Sequence, residues 1–146
     1  MQVRNINFGS CEYDAAVQLR DEVLRKPLGL TLNPADLAKE HSDLHVGVFS
    51  IANELVAYAL LRPTASVAWM KQVAVNPAVQ GQGLGRILIH GFEARARAEG
   101  FHEIELHARA SAVDFYTKLG YVVDGAPFDE VGIPHVGMRK SLVAQE

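Results

Sequence analysis

The most informative segment of the chain reads VAVNPAVQGQGLGR and occupies residues 73–86. Its first part ends the apolar run Val67–Val75, which predicts a strand that stops at Asn76-Pro77. Its last part leads into residues 86–99, whose apolar positions recur at helical spacing and predict a helix. Between the predicted strand and helix lie three alternating glycines: Gly81, Gly83 and Gly85.

A glycine run at the start of a helix favours an anion-binding site. The first N–H groups of a helix are unpaired, the helix dipole adds partial positive charge, and glycine lets a phosphate approach the backbone. A turn needed only for tight packing is the alternative. No Gly-x-x-x-x-Gly-Lys-Ser/Thr run occurs, and Arg86 stands where a Gly-x-Gly-x-x-Gly fingerprint starting at Gly81 needs its third glycine. A nucleoside triphosphate or a dinucleotide is therefore not the expected ligand.

Apolar periodicity elsewhere alternates between strand and helix character. It predicts further strands at residues 2–8, 44–51, 55–61, 101–108, 121–123 and 132–140, and further helices at 13–24, 34–41 and 111–119. We expect Asn33 to cap the helix that begins at Pro34, and Ser111 with Asp114 to form a capping box. The pattern predicts a mixed α/β sheet of six to seven strands covered by about four helices.

Composition fits one globular domain over residues 1–146. A formal net charge of -3 argues against an extended nucleic-acid interface. The single cysteine, Cys11, excludes an intrachain disulfide and is interpreted as a small buried apolar residue. Since no apolar run reaches about 18 residues and the N-terminus lacks a signal-peptide core, we expect a cytoplasmic protein without membrane association.

Two motifs resemble those of the GNAT superfamily of N-acetyltransferases. The spacing Gln80-x-x-Gly83-x-Gly85 is similar to its Arg/Gln-x-x-Gly-x-Gly/Ala signature, and residues 112–121 resemble its A-x-x-F-Y-x-K-L-G-F segment. Residues 73–77 also resemble the end of its fourth strand. The resemblance covers roughly residues 44–140. It implies the GNAT fold, a mostly antiparallel twisted sheet with a splayed cofactor cleft between strands four (Trp69–Val75) and five (Ile104–Ala108).

The resemblance also implies a reaction, the direct attack of an amine on acetyl-CoA without an acyl-enzyme. Backbone groups at Val73 and Val75 would pair with the pantetheine arm, an N–H near Val73 would stabilise the oxyanion, and Tyr116 would assist departure of the thiolate. The implied cofactor-binding residues are Val73, Ala74, Val75, Gln80, Gly81, Gln82, Gly83, Leu84, Gly85, Arg86, Arg109 and Tyr116. Arg109 stands where relatives often carry Asn, so it could reach a cofactor phosphate or an acceptor carboxylate, or face solvent.

An amine acceptor must lose a proton before it attacks. Many relatives carry a Glu on the fourth strand, but residues 67–75 contain no carboxylate. His107 is the candidate base and His135 the second, because an ordinary imidazole titrates near neutral pH. Two alternatives stay open: each histidine is a structural or surface residue, or a water chain carries the proton.

The acceptor is expected to be a small-molecule amine or a peptide amine. Acidic Asp124, Asp129 and Glu130 would suit a cationic amine, whereas Arg20 and Arg25 would suit an anionic group; both sets could also be plain solvated surface. No metal, nucleic acid or membrane partner is expected, and a homodimer is left open. A catalytically silent acyl-CoA-binding or regulatory module, and an interaction protein that needs the glycines only for folding, are the alternative functions.

Overall fold

A computed structural model describes residues 1–79 and 81–143. The strands are β1 Gln2–Ile6, β2 Leu44–Phe49, β3 Leu55–Thr64, β4 Val67–Val75, β5 Glu103–Arg109, β6 Val122–Val123, β7 Phe128–Glu130 and β8 Ile133–Ser141. The α-helices are α1 Cys11–Arg20, α2 Pro34–Ala38, α3 Leu84–Ala98 and α4 Val113–Lys118. A π-helical turn, Asp21–Arg25, extends α1, and short 3₁₀ turns lie at Lys26–Leu28, Lys39–Ser42, Pro77–Val79 and Ala110–Ala112.

The strands form one sheet in the order β1-β2-β3-β4-β5-β8-β6, and β7 pairs with β8 beside this path. Strands β4 and β5 are parallel, and the other neighbours are antiparallel. The predicted mixed, mostly antiparallel sheet is therefore confirmed. Within residues 1–79 and 81–143 the sheet has eight strands, because β7 forms within the segment that we expected to be a loop.

Helices cover both faces of the sheet, as the alternation along β3 makes plain. Ala59 and Leu61 face the larger core, which contains the apolar side of α3. Tyr58 and Leu60 face a second core that contains Tyr13, Ala16 and Leu19 of α1. Because both faces of β3 are covered, the strand reads as a nearly continuous apolar run in the sequence.

Local predictions had mixed outcomes. Asn33 caps α2 as expected, and its side chain accepts a hydrogen bond from the Ala35 N–H at 2.8 Å. The capping box at Ser111 is wrong, because Ser111 lies inside the 3₁₀ turn and α4 begins without a side-chain cap. The interpretation of Cys11 as a buried residue is also wrong: it is exposed at the first position of α1.

A bulge in β4 opens the sheet between β4 and β5. Leu60 pairs with Lys71 and Tyr58 pairs with Ala74, so two residues of β4 lie opposite Ala59 of β3. Gln72 in the bulge has a φ of 57°, a left-handed conformation that is uncommon for a residue other than glycine. Parallel pairing with β5 runs only as far as Met70, although β4 continues to Val75.

Two ion pairs, one buried and one partly buried, connect the helices to neighbouring segments. Arg20 at the end of α1 donates two hydrogen bonds to Glu40, at 2.7 and 2.8 Å, and both side chains are buried. On the other face Glu93 of α3 accepts hydrogen bonds from Lys140 and from the Tyr121 hydroxyl. A buried charge is costly unless it is paired, so these contacts hold α1 against the turn Lys39–Ser42 and α3 against β8.

Candidate active site

The opening between β4 and β5 forms a cleft of about 1050 Å³. Its walls come from the end of β4, the start of α3, the end of β5, α4 and the turn after β7. The bulge matters here, because it leaves residues 71–75 without β5 as a neighbour and exposes one edge of that backbone to the cleft. An extended ligand could therefore pair with the strand edge.

The start of α3 provides a concave backbone surface at the cleft. Gly81 and Gly83 have φ values of 85° and 73°, and a Cβ atom on either would point into open space. Gly85 is needed for a different reason, since its Cβ would approach the Phe115 ring to 3.0 Å. The first turn of α3 has no acidic side chain, and Arg86 in that turn lines the cleft. Unpaired N–H groups and a positive side chain suit an anion.

The other predicted cofactor residues divide into two groups. Val73, Val75 and Arg109 line the cleft. Ala74 belongs to the second core on the opposite face of the sheet, and Gln82 is exposed outside the cleft wall. The prediction for Gln80 falls outside the described residues.

Tyr116 of α4 lines the cleft although only 6% of it is exposed. Its ring packs edge-on against Phe115 and Tyr121. Burial raises the pKa of the Tyr116 hydroxyl to about 12. Among the described residues no side-chain hydrogen bond engages this hydroxyl, so a protonated donor remains available in the cleft.

Both candidate histidines lie in the cleft wall, and a ring nitrogen of each lies near the carboxylate of Glu130. His107 Nδ1 lies 2.9 Å from Glu130 Oε1, and His135 Nε2 lies 3.6 Å from Glu130 Oε2. His107 is 37% exposed, whereas His135 is buried and its Nδ1 donates to the Ile133 carbonyl at 2.7 Å. The rings of Trp69 and Phe128 contact His107 edge-on at 5.5 and 4.9 Å between centroids.

The partnership of Glu130 with His107 was not predicted. In the sequence, Glu130 was only one of three acidic residues that would suit a cationic amine or form solvated surface, and β7 itself was missed. A two-residue hairpin turn, Val131-Gly132, joins β7 to β8, and both of its residues have positive φ. Positive φ is rare for valine, so the sequence does not suggest this turn.

Charged residues expected near the acceptor are separated by the structure. Of the acidic residues in the late loop, Glu130 lines the cleft, whereas Asp124 and Asp129 are absent from its wall. Arg25 lines the cleft, and its Nη2 donates to Gln72 Oε1 at 3.3 Å. The proposal of an acceptor contact for Arg20 is wrong, because Arg20 is buried against Glu40.

Within residues 1–79 and 81–143, no helix is both long and apolar enough to cross a membrane. The same residues contain no group of three or more His, Cys, Asp or Glu side chains arranged to hold a metal ion.

Comparison with known proteins gives a consistent result. Residues 19–142 match the family model described as acetyltransferase (GNAT) domain. Over 90 residues the chain is 32% identical to YyaT, an uncharacterised protein of Bacillus subtilis; the match covers 62% of this chain and 61% of YyaT. The chain thus spans about three fifths of the length of that curated relative.

Two solved structures have the same fold. One is a Lactobacillus plantarum protein named as a candidate N-acetyltransferase, with a TM-score of 0.86, 27% identity, and coverage of 98% of this chain and 100% of that one. The other is an aminoglycoside 6'-N-acetyltransferase complexed with coenzyme A, with a TM-score of 0.82 and 14% identity, and it covers 100% of this chain and 99% of that one.

Proposed function

The chain belongs to the GNAT acetyltransferase family, and we propose on that premise that it transfers an acetyl group from acetyl-CoA to an amine by direct attack, without an acyl-enzyme. The observation that carries the proposal is that one cleft is lined by the glycine-rich start of α3 and by the side chains of His107, Glu130 and Tyr116. Residues 1–146 would work as one domain in the cytoplasm.

The residues at the cleft fit an acyl-CoA. Backbone N–H groups of Leu84, Gly85 and Arg86 would hold the pyrophosphate, with the Arg86 guanidinium beside it. The free edge of β4 near Val73 would pair with the pantetheine arm and offer an N–H to the acyl oxygen, where negative charge develops. Acyl-CoA would supply the activated acyl group.

His107 and Tyr116 would move or hold protons during the transfer. His107 Nε2 would accept a proton from the acceptor ammonium, which leaves the nitrogen lone pair free to form the new C–N bond. As the C–S bond breaks, the Tyr116 hydroxyl would donate a hydrogen bond to the departing sulfur. Holding the ammonium and the thioester in one cleft would orient the reactants, which supplies much of the acceleration in such a reaction.

The acceptor would be a small-molecule amine or a peptide amine. Glu130 supplies negative charge near the acceptor side, and the rings of Trp69 and Phe128 supply an apolar wall. The proposal includes no metal, nucleic-acid or membrane partner, and it leaves a homodimer open. A silent acyl-CoA-binding module was favoured only by the missing carboxylate on β4, and Glu130 brings a carboxylate to the cleft from another strand.

Binding is tested by calorimetry with acetyl-CoA and with ATP. The native protein should bind acetyl-CoA and not ATP. Arg86→Gln should weaken acetyl-CoA binding about tenfold, as expected for loss of a charge-assisted contact. Arg97→Gln is the matched control, because Arg97 lies exposed near the other end of α3 and should leave affinity unchanged. Equal effects of the two substitutions would contradict the placement of the pyrophosphate.

Turnover is tested by CoA release with a panel of primary amines. For one amine, His107→Gln should lower kcat by ~10²–10⁴-fold, the contribution typical of general base catalysis. An unchanged rate would shift the role to His135 or to water. Tight acetyl-CoA binding without CoA release for any amine would instead support the silent module.

A further inference from the structure

We propose that Glu130 is a positioning residue for His107: its carboxylate fixes the imidazole in the tautomer whose Nε2 can accept the acceptor's proton. Because it takes the cleft to be the acyl-transfer site, this role rests on the proposed function. Strand β4 has no carboxylate, and in this proposal Glu130 of β7 supplies one instead. Strand β7 pairs with the edge of β8 that is opposite to β5.

The hydrogen bond between the two residues selects the tautomer. Glu130 Oε1 lies 2.9 Å from His107 Nδ1, and an ionised carboxylate can only accept hydrogen bonds. Nδ1 must therefore carry the hydrogen, and in the neutral ring Nε2 keeps its lone pair. A base with its lone pair on the nitrogen remote from the carboxylate is the form that proton transfer from an ammonium requires.

Two aromatic rings restrict the orientation of the same imidazole. Trp69 of β4 and Phe128 of β7 approach His107 with interplanar angles of 80° and 73°. Because Phe128 and Glu130 lie two residues apart on β7, both side chains project from the same face of the strand. The short strand thus supplies an edge contact and a hydrogen bond to one histidine, which limits both its rotation and its protonation pattern.

The charge balance of the step also involves Glu130. When His107 Nε2 forms its N–H bond, the ammonium N–H bond breaks, the amine becomes neutral and the ring becomes an imidazolium. Glu130 lies against that new positive charge, and solvent takes the proton when the ring returns to its neutral form. Glu105, two residues away on β5, interacts electrostatically with His107. Lys71 and Arg109 line the same cleft, and His135 Nε2 lies 3.6 Å from the second oxygen of Glu130.

His135 does not compete for the hydrogen bond that orients His107. Its Nδ1 donates to the Ile133 carbonyl, so its neutral ring has no hydrogen on Nε2 to offer Glu130. The 3.6 Å separation between His135 Nε2 and Glu130 Oε2 is also longer than a hydrogen bond. While both histidine rings are neutral, Glu130 Oε1 therefore accepts a hydrogen bond from His107 and none from His135.

The decisive test is spectroscopic and needs no substrate. In ¹⁵N-labelled protein, two-dimensional NMR of the histidine rings should show His107 as the Nδ1–H tautomer. Glu130→Met keeps the length of the side chain but offers no hydrogen-bond acceptor. The Nδ1–H form should then no longer be the major tautomer of His107. Glu130→Gln, which keeps an acceptor oxygen without the charge, should fall between the two. An unchanged tautomer in Glu130→Met overturns the proposal whether or not any turnover is found.

The kinetic test separates positioning from folding. Glu130→Met should lower kcat about ten- to a hundredfold with little change in the KM for acetyl-CoA, since general base catalysis as a whole contributes ~10²–10⁴-fold. Combining it with His107→Gln should add no further loss, because the two residues act as a unit. If the loss of kcat in the double variant equals the product of the losses in the two single variants, the proposal is overturned.

Asp129→Asn is the matched control for both measurements. Asp129 adjoins Glu130 on β7 but lies outside the cleft wall, so the tautomer and the rate should match those of the native protein. Glu130 is 45% exposed, and Glu130→Met should therefore unfold at nearly the native temperature. If a tautomer change in Glu130→Met also appears in Asp129→Asn, it reflects disturbance of β7, and the proposal fails.

Discussion

Tyr116→Phe is the substitution that most directly tests the chemistry of the cleft. It removes one hydroxyl and keeps the ring that packs against Phe115 and Tyr121. No side-chain hydrogen bond to this hydroxyl is present among the described residues, so its removal leaves no buried partner unsatisfied. We therefore expect the free energy of unfolding to change by less than about 1 kcal/mol.

The expected loss of rate follows from the pKa of the tyrosine. Burial raises the pKa of Tyr116 to about 12, whereas an ordinary thiol has a pKa near 8.5. Complete transfer of the proton to the thiolate would then be unfavourable by roughly 5 kcal/mol, at 1.36 kcal/mol for each pKa unit. Tyr116 should act as a hydrogen-bond donor to the developing negative charge, and loss of such a donor typically lowers kcat by ~10²–10³-fold.

The assay is single-turnover formation of CoA, with the enzyme in excess over acetyl-CoA and the reaction stopped by rapid quenching, so that product release does not mask chemistry. Tyr121→Phe is the control: it loses the hydrogen bond from Tyr121 to Glu93 at 2.9 Å, which should destabilise the fold by about 1–3 kcal/mol and leave the rate intact. Because the Tyr116 hydroxyl stays protonated, the native rate should not fall between pH 9 and 11 through loss of its proton. A native single-turnover rate in Tyr116→Phe would refute this reasoning.

Three further predictions concern the glycine-rich start of α3 and the buried polar groups. Gly83→Val should weaken acetyl-CoA binding at least about tenfold by calorimetry and should also destabilise the fold by about 1–2 kcal/mol, because the residue has a φ of 73°. Glu40→Gln should cost about 3–5 kcal/mol in urea unfolding, since it leaves buried Arg20 without its charged partner, whereas the exposed Asp36→Asn should have little effect. Burial also raises the pKa of Tyr58 above its unfolded value near 10, so the native state holds this proton longer. Stability should therefore fall as pH rises past about 10, by up to ~1.4 kcal/mol per pH unit for each such tyrosine, which urea unfolding at pH 9, 10 and 11 would measure.

The elements that sequence predicted well are those specified by local pattern. Strand β4 was placed at its observed bounds because an apolar run ends at Asn76-Pro77, and Asn33 was placed at its cap because Asn-Pro is a helix-start signal. Ser111 misled because its hydroxyl could cap a helix, but the chain first makes a 3₁₀ turn there. Whether a residue caps depends on backbone geometry that spacing alone does not fix.

The candidate site likewise contains features that local sequence patterns predicted and features that they did not. Alternating glycines before a helix are a local signal, and two of the residues that they single out, Gly81 and Gly83, line the cleft. The contact between His107 and Glu130 depends instead on two registers, that of β5 on β8 and that of β7 on β8. A shift of one residue in either would turn a side chain to the other face of the sheet, so the sequence predicted the residues without their partnership.

The cleft itself depends on the positive φ of Gln72, a conformation that the sequence does not indicate. A non-glycine residue at positive φ persists only when its surroundings hold it, and Gln72 is held by ladder pairs on both sides of the bulge. Its side chain also accepts a hydrogen bond from Arg25, at the end of the turn that extends α1. Arg20, five residues earlier, anchors that same segment to Glu40. The opening between β4 and β5 is therefore a property of the tertiary structure.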